Sequence, residues 1–240
     1  MKPIDIFITA FLRKEFTLET IKYLKERTKT PYRLFLINNG GNEIEDESIF
    51  LRIDMNHNVG IHAAWNLALA FAESDYFITS DNDILVPDLE PDWLAQMVGF
   101  MDSKPEYGAI SLCPHVFIGA AGIDPTDPED VKERNMCGAV MRIMRREAVI
   151  KTGGWEKVIR SSRNHEESTI CSSLQTNGLK TGIATRIRAF HLFGDGTSND
   201  SWGYPKEMKP EDHGHHGGIW PPPEAYGDKA RCDQKTWITI

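Results

Sequence analysis

The stretch Tyr76-Phe77-Ile78-Thr79-Ser80-Asp81-Asn82-Asp83 decides how this chain is read. Up to Ser80 it is apolar, aromatic and β-branched, as a buried strand is. It then runs directly into two carboxylates separated by one residue. In open α/β sheets, ligands bind in the crevice beyond the carboxyl ends of the strands. Two carboxylates spaced this way on a turn can reach one hard divalent cation together. The same triplet also suits an ordinary turn rich in Asp and Asn, and such spacings recur by chance. The surrounding sequence has to decide between the two.

Upstream, Ile4-Asp5-Ile6-Phe7-Ile8-Thr9 reads as a second buried strand. Residues 17–27 place Leu18, Ile21 and Leu24 at helical spacing, with Lys and Glu between them. Arg33-Leu34-Phe35-Leu36-Ile37-Asn38 is another strand, stopped by Asn39-Gly40-Gly41-Asn42, and 50–53 a short one. Residues 60–73 are rich in Ala and Leu and helical. Downstream, a helix is predicted over 92–102 and a strand over 107–112. This β-α-β-α order predicts an α/β fold with a mostly parallel central sheet and helices on both faces.

The second half is less regular. Residues 115–135 hold Gly119, Gly122, Pro125 and Pro128 and read as a long surface loop. A strand is predicted over 136–144, a short helix over 145–151 stopped by Gly153-Gly154, and a helix over 166–176 ending at Asn177-Gly178. After His191, Gly, Pro, His and Asp dominate and periodicity fades. With no internal repeat, the expected organisation is one domain over 1–198 and an irregular C-terminal extension over 199–240.

A chain of 240 residues suits one α/β domain with a sizeable core. Its net charge of −8 argues against duplex nucleic acid as a partner. A nucleotide stays compatible, since a metal ion supplies positive charge locally. Cys113, Cys137, Cys171 and Cys232 form no C-x-x-C pair, so neither zinc nor redox motifs are predicted. The start lacks a signal-like apolar region, and no stretch approaches the about 20 apolar residues of a membrane span. A reducing, cytoplasmic setting is expected, with no integral membrane segment.

The run Asn58-Val59-Gly60-Ile61-His62-Ala63-Ala64-Trp65-Asn66, followed by the strand ending at Asp81-Asn82-Asp83, resembles the core of the family-2-like GT-A glycosyltransferases. There an N-x-G…A…N helix precedes a strand ending in a D-x-D metal motif. Three further segments follow in the family's order. Cys137-Gly138-Ala139-Val140-Met141, Arg145-Arg146-Glu147-Ala148 and Gly153-Gly154-Trp155 are similar to its G-a-x-x-x-x-R-R-E-A-f-x-x-x-G-G-f segment. Glu166-Glu167-Ser168-Thr169-Ile170 with Gly178 resembles its E-D-x-D-L…G helix, and His191 with Ser198 its late H…S element.

The resemblance implies a metal-dependent inverting transferase. It would move a sugar from a UDP- or GDP-linked donor to a hydroxyl acceptor on a glycan, a lipid carrier or another molecule. Thr9, Ala10 and Asn38 would line the base and ribose pocket, although the family often has Asp near Asn38. Arg13 would meet the diphosphate, or else be a solvated loop charge. Asn58, Gly60 and Asn66 would flank the nucleotide-sugar, with Gly60 allowing close backbone approach; a helix cap and a surface amide are the plain readings of the two asparagines. Asp81 and Asn82 would face the donor. Mn2+ or Mg2+ would be held by Asp81 and Asp83, with His191 completing the metal sphere or touching the diphosphate; a structural histidine is its plain reading. Glu167 aligns with the family's catalytic Asp and would act as general base, with Glu166 the alternative. Both glutamates also suit a solvated first helical turn.

Asp212-His213-Gly214-His215-His216 lacks zinc-ligand spacing, and the extension, with Trp202, Tyr204, Trp220 and Tyr226, is expected near the acceptor side. A sugar-phosphate nucleotidyltransferase would need a Gly-rich loop after the first strand, and Thr9-Ala10-Phe11-Leu12-Arg13-Lys14 has no glycine. A binding domain without activity would lack the metal pair or the base; candidates for both are present.

Overall fold

A computed structural model of the chain describes residues 2–40, 43–114, 128–155, 166–192 and 236–239. The layering follows from strand β1, Ile4–Ala10, which is buried along its whole length. Its Ile4, Ile6 and Ile8 enter one apolar core, while Phe7 enters a second on the opposite face. The first core is covered by α1, Lys14–Arg27, and α3, Trp93–Ser103, through Ile21, Leu24, Trp93, Met97 and Met101. The second is covered by α2, Ile61–Phe71, α4, Arg146–Thr152, and α5, Glu166–Thr176, through Trp65, Leu67, Val149, Ile170 and Leu174. A strand apolar on both faces is what a helix-covered parallel sheet requires.

β2, Tyr32–Asn38, and β4, Tyr76–Asp81, flank β1 in parallel, and β3, Ile49–Asp54, lies outside β2. The chain builds outward from β1 to β3, then returns to lay β4 on the other side of β1. That reversal makes a switch point, the place where open α/β sheets bind their ligands. Thr9 lies opposite Asp81 there, and Ala10 opposite Asn38.

Beyond β4 the sheet becomes mixed. β8, Arg142–Arg145, runs antiparallel to both β4 and β6, Tyr107–Pro114. β9, Lys180–His191, follows parallel to β6, and β5, Ile84–Leu85, pairs antiparallel with its end. β7, Val131–Glu133, also pairs with β9, and β10, Thr236–Thr239, lies parallel to β3 at the other edge.

Three differences from expectation lie in the second half. The strand predicted over 136–144 forms only from Arg142, because Met141 sits at φ 45° and breaks the extended run. Ala139 and Val140, also buried, are tied in by a different device: the Ala139 carbonyl accepts from Asp81 N at 3.1 Å and the Val140 carbonyl from Leu112 N at 3.0 Å. β9 is not predicted from sequence, although Thr185, Ile187 and Ala189 are buried between the charged Arg186 and Arg188. β7 falls within the predicted long loop, of which 115–127 lie outside the described residues.

Asp92 ties α3 to the turn before β2. Its carboxylate accepts from Leu94 N and Ala95 N at 2.9 and 3.0 Å, and from Lys29 N and Thr30 N at 3.0 and 2.7 Å. Burial pushes its proton affinity up, but these donors outweigh it and hold the carboxyl below its ordinary 3.8. A depressed group stabilises the fold above that value and stops doing so in acid. Asp92→Ala should therefore cost about 2 kcal/mol at neutral pH, the upper end of N-cap losses. In urea denaturation the gap from the parent protein should narrow at pH about 3.

Candidate active site

At the crevice, Thr9 is 6% exposed, and its Oγ1 has no hydrogen-bond partner among the described residues. Asn38, at the end of β2, donates from Nδ2 to Asp54 Oδ1 at 2.7 Å, and Arg52 Nε holds the other Asp54 oxygen at 2.7 Å. Asn39 N donates to the Ala10 carbonyl at 2.7 Å, fastening the two strand ends. Asn39 and Asn58 then lock two loops together. Asn39 Nδ2 donates to Asn58 Oδ1, which also accepts from Gly60 N, both at 2.9 Å, while Asn39 Oδ1 accepts from Val59 N at 2.9 Å. Gly60 has φ 84° and ψ 159°, a region that only glycine occupies freely, and it leads directly into α2.

Two of the asparagines expected at the donor also make contacts within the protein. The oxygen of Asn58 accepts from Asn39 in the neighbouring loop and from Gly60 in its own. Asn66, 8% exposed, accepts from Trp155 N at 2.9 Å and so supports the turn after α4. In that turn Gly154 stands at φ +64°, and a Cβ there would meet Asn66 Oδ1 at 2.6 Å. The Gly153-Gly154-Trp155 signature is thus a seat for Asn66.

The Asp81-Asn82-Asp83 turn is closed from two sides. Arg13 Nη1 lies 2.7 Å from Asp83 Oδ2, their side chains 7% and 1% exposed. Arg13 Nη2 donates to Asn82 Oδ1 at 2.9 Å. Asn82 donates from Nδ2 to Thr17 Oγ1 at 2.8 Å, and its carbonyl accepts from Thr20 Oγ1 at 3.0 Å. Asn82, expected at the nucleotide-sugar, fastens the turn to α1. On the opposite side His191 Nε2 lies 3.3 Å from Asp83 Oδ1. The β5–β9 ladder places His191 opposite Ile84, and Leu192 N donates to the Asp83 carbonyl at 2.9 Å.

These contacts set the charges. Burial pushes the Asp83 proton affinity up, yet His191 and Arg13 more than offset it and hold the carboxyl below its ordinary value. Burial alone would lower His191, but the Asp83 carboxylate raises it. Asp81 is pushed up to about 7, first by burial and then by the charges of Asp83 and Glu167. Negative charge is therefore crowded at Asp81 despite Arg13 and His191. Hard oxygens with one imidazole, short of positive charge, are donor chemistry that fits a divalent cation. Among the described residues, however, no group of three or more His, Cys, Asp or Glu is placed to hold one as it stands. The expected set of Asp81, Asp83 and His191 is thus brought to one place without closing into a ligand cage. Arg13, expected at a diphosphate or in solvent, is instead the partner of Asp83, because a buried carboxylate demands a counter-charge.

On α5, Glu167 is half-buried, while Ile170 and Leu174 on the same side are fully buried. The charge of Glu167 reaches Asp81. The side chain of Glu166 lies outside the described residues, as do Ser198 and the extension up to 235. One turn beyond Glu167, Cys171 Sγ lies 3.6 Å from Cys137 Sγ, a pairing that sequence spacing gave no sign of. Arg142, fully buried, donates to the Cys137 carbonyl at 3.2 Å and packs 4.7 Å from the Trp65 ring centroid and 5.9 Å from that of Trp155.

The sequence profile of glycosyl transferase family 2 matches residues 5–193, a span holding β1, the Asp81–Asp83 turn, α5 and His191. The chain belongs to glycosyl transferase family 2. No curated protein matches it in sequence. Among solved structures, this family-2 chain is similar to the mannosyltransferase PcManGT from Pyrobaculum calidifontis in complex with GDP-Man and Mn2+. The TM-score is 0.65 at 12% identity, covering 81% of this chain and 58% of that one. GalNAc-T7 with UDP, GalNAc and Mn2+ gives 0.63 at 12%, covering 79% and 43%. S. aureus TarS 1-349 in complex with UDP-GlcNAc gives 0.58 at 11%, covering 88% and 63%. These likenesses establish the GT-A fold for this family-2 chain, which spans between 43% and 63% of the length of those three structures.

Proposed function

We propose that the chain transfers a sugar from a UDP- or GDP-linked donor to a hydroxyl acceptor by direct displacement with inversion at the anomeric carbon. The observation that carries this reading is the convergence of Asp81, Asp83, His191 and the charge of Glu167 at the β1–β4 switch point. Solved GT-A structures contain GDP-Man, UDP-GlcNAc and Mn2+, in keeping with such a donor. Cytoplasmic placement belongs to the same reading; among the described residues no helix is long and apolar enough to cross a membrane.

Thr9, Ala10 and Asn38 would receive the base and ribose, with Gly60 leaving room for backbone approach. Asp81 would face the ribose or sugar. Asp83, Asp81 and His191 would hold Mn2+ or Mg2+, which would supply Lewis-acid stabilisation of the departing diphosphate. Glu167 takes the proton of the acceptor hydroxyl as that oxygen bonds to the anomeric carbon, and the bond from that carbon to the diphosphate oxygen breaks.

Calorimetry with UDP, GDP and their sugars should show Mn2+-dependent binding that weakens at least about tenfold in EDTA. Asp81 must lose its proton to ligate, so this binding should strengthen as pH rises from 6 to 8, through the value of about 7. Equal affinity with and without metal would remove the metal from the reading.

A further inference from the structure

We propose that Arg13 is a resident counter-ion of Asp83 that competes with divalent metal in the nucleotide-free protein, so that metal and diphosphate enter together. This rests on the nucleotide-sugar reading above.

The pair has the geometry of a built contact. Arg13 Nη1 meets Asp83 Oδ2 at 2.7 Å with both side chains nearly excluded from water. Nη2 meets Asn82 Oδ1 at 2.9 Å, so two donors of one guanidinium fix its orientation. Its seat is fixed in turn, since Asn82 is bonded to Thr17 and Thr20 of α1. The backbone is held at some cost to deliver it: Leu12 and Arg13 stand at φ 55° and 51°, two successive non-glycine residues in the left-handed region. Such conformations persist where surrounding contacts over-determine them.

The consequence is electrostatic. Arg13 faces one oxygen of Asp83 and His191 the other. A divalent cation arriving alone must approach a guanidinium with little water between them, where like charges repel strongly. A nucleotide diphosphate reverses the balance. Its oxygens add negative charge beside the cation and offer the guanidinium a bidentate partner, so Arg13 can leave Asp83 without being stranded.

The test is Mn2+ affinity of the full chain, followed by electron paramagnetic resonance of the free ion and by water-proton relaxation. In the parent protein, Mn2+ alone should bind at least about tenfold more weakly than Mn2+ with UDP or GDP. Arg13→Gln should tighten Mn2+ alone by about tenfold and lose most of the nucleotide dependence, whereas Arg13→Lys, which keeps the charge, should stay near the parent. Mn2+ should also raise the melting temperature of Arg13→Gln more than that of the parent. The proposal is overturned if the parent binds Mn2+ equally well with and without nucleotide, or if Arg13→Gln binds Mn2+ alone no better than the parent. The first comparison needs no variant, so it decides even if Arg13→Gln does not fold. If neither nucleotide binds at all, the transferase reading falls, while Mn2+ alone against Arg13→Gln still reads the competition at Asp83.

Discussion

Glu167→Gln should slow sugar transfer by about 10²–10⁴-fold, the range for loss of a general base, while donor binding stays largely intact. The helix register supports this assignment. Ile170 and Leu174 are fully buried on the sheet side of α5, and Glu167 at the helix start stays half-exposed with its charge felt at Asp81. Glutamine keeps the shape and removes the charge. Asp81 should then titrate lower, because one of the two carboxylates that raise it has gone. Metal-linked nucleotide binding should accordingly persist to lower pH in Glu167→Gln, a change that a merely structural residue would not produce. Glu166→Gln should lose much less activity. The reverse ranking would make Glu166 the base, and full activity in both would place the base elsewhere.

Asp83→Ala should abolish metal-linked nucleotide binding and also destabilise the protein. Removing one partner of a buried ion pair typically costs about 3–5 kcal/mol, because the other charge is left without compensation. Here the stranded group is Arg13, 7% exposed. The double variant Asp83→Ala with Arg13→Leu should therefore recover much of the lost stability without recovering binding. Urea denaturation of the four proteins of this cycle gives the coupling directly. If Asp83→Ala unfolds at the parent's denaturant midpoint, the ion pair does not form in solution.

What could be read from sequence was whatever local pattern specifies. The run from Tyr76 to Asp83 foretold both a strand and the carboxylates at its end, because side-chain alternation and turn chemistry are local. Ile4, Ile6 and Ile8 around Phe7 foretold a strand with two apolar faces. Contacts between distant segments were not legible. Nothing near Arg13 announces that its partner is 70 positions away. The neighbours of Asn66 resemble a donor-binding helix, and nothing in them shows that its oxygen also accepts from the backbone of Trp155. The first half of β9 hid the strand, because Lys180, Thr181, Gly182 and Ala184 carry little apolar bulk, and the alternation around Arg186 and Arg188 is too short to stand out alone. The segment before Arg142 looked like a strand by composition, and one left-handed residue, Met141, prevented it.

The pairing of β5 with β9 also bears on how the protein is made. Chains emerge from the ribosome N-terminus first, and contacts between remote segments form slowly. β1, β2, β3 and β4 can assemble from what has already been synthesised, and Arg13 is available to them. β5 finds its ladder, and Asp83 its imidazole, only after β9 has been translated and docked. A partly built chain therefore carries the acidic turn with one of its two flanking partners missing. On the proposed reading, competence to bind the donor would arise late in folding and would mark that the second half of the sheet is in place.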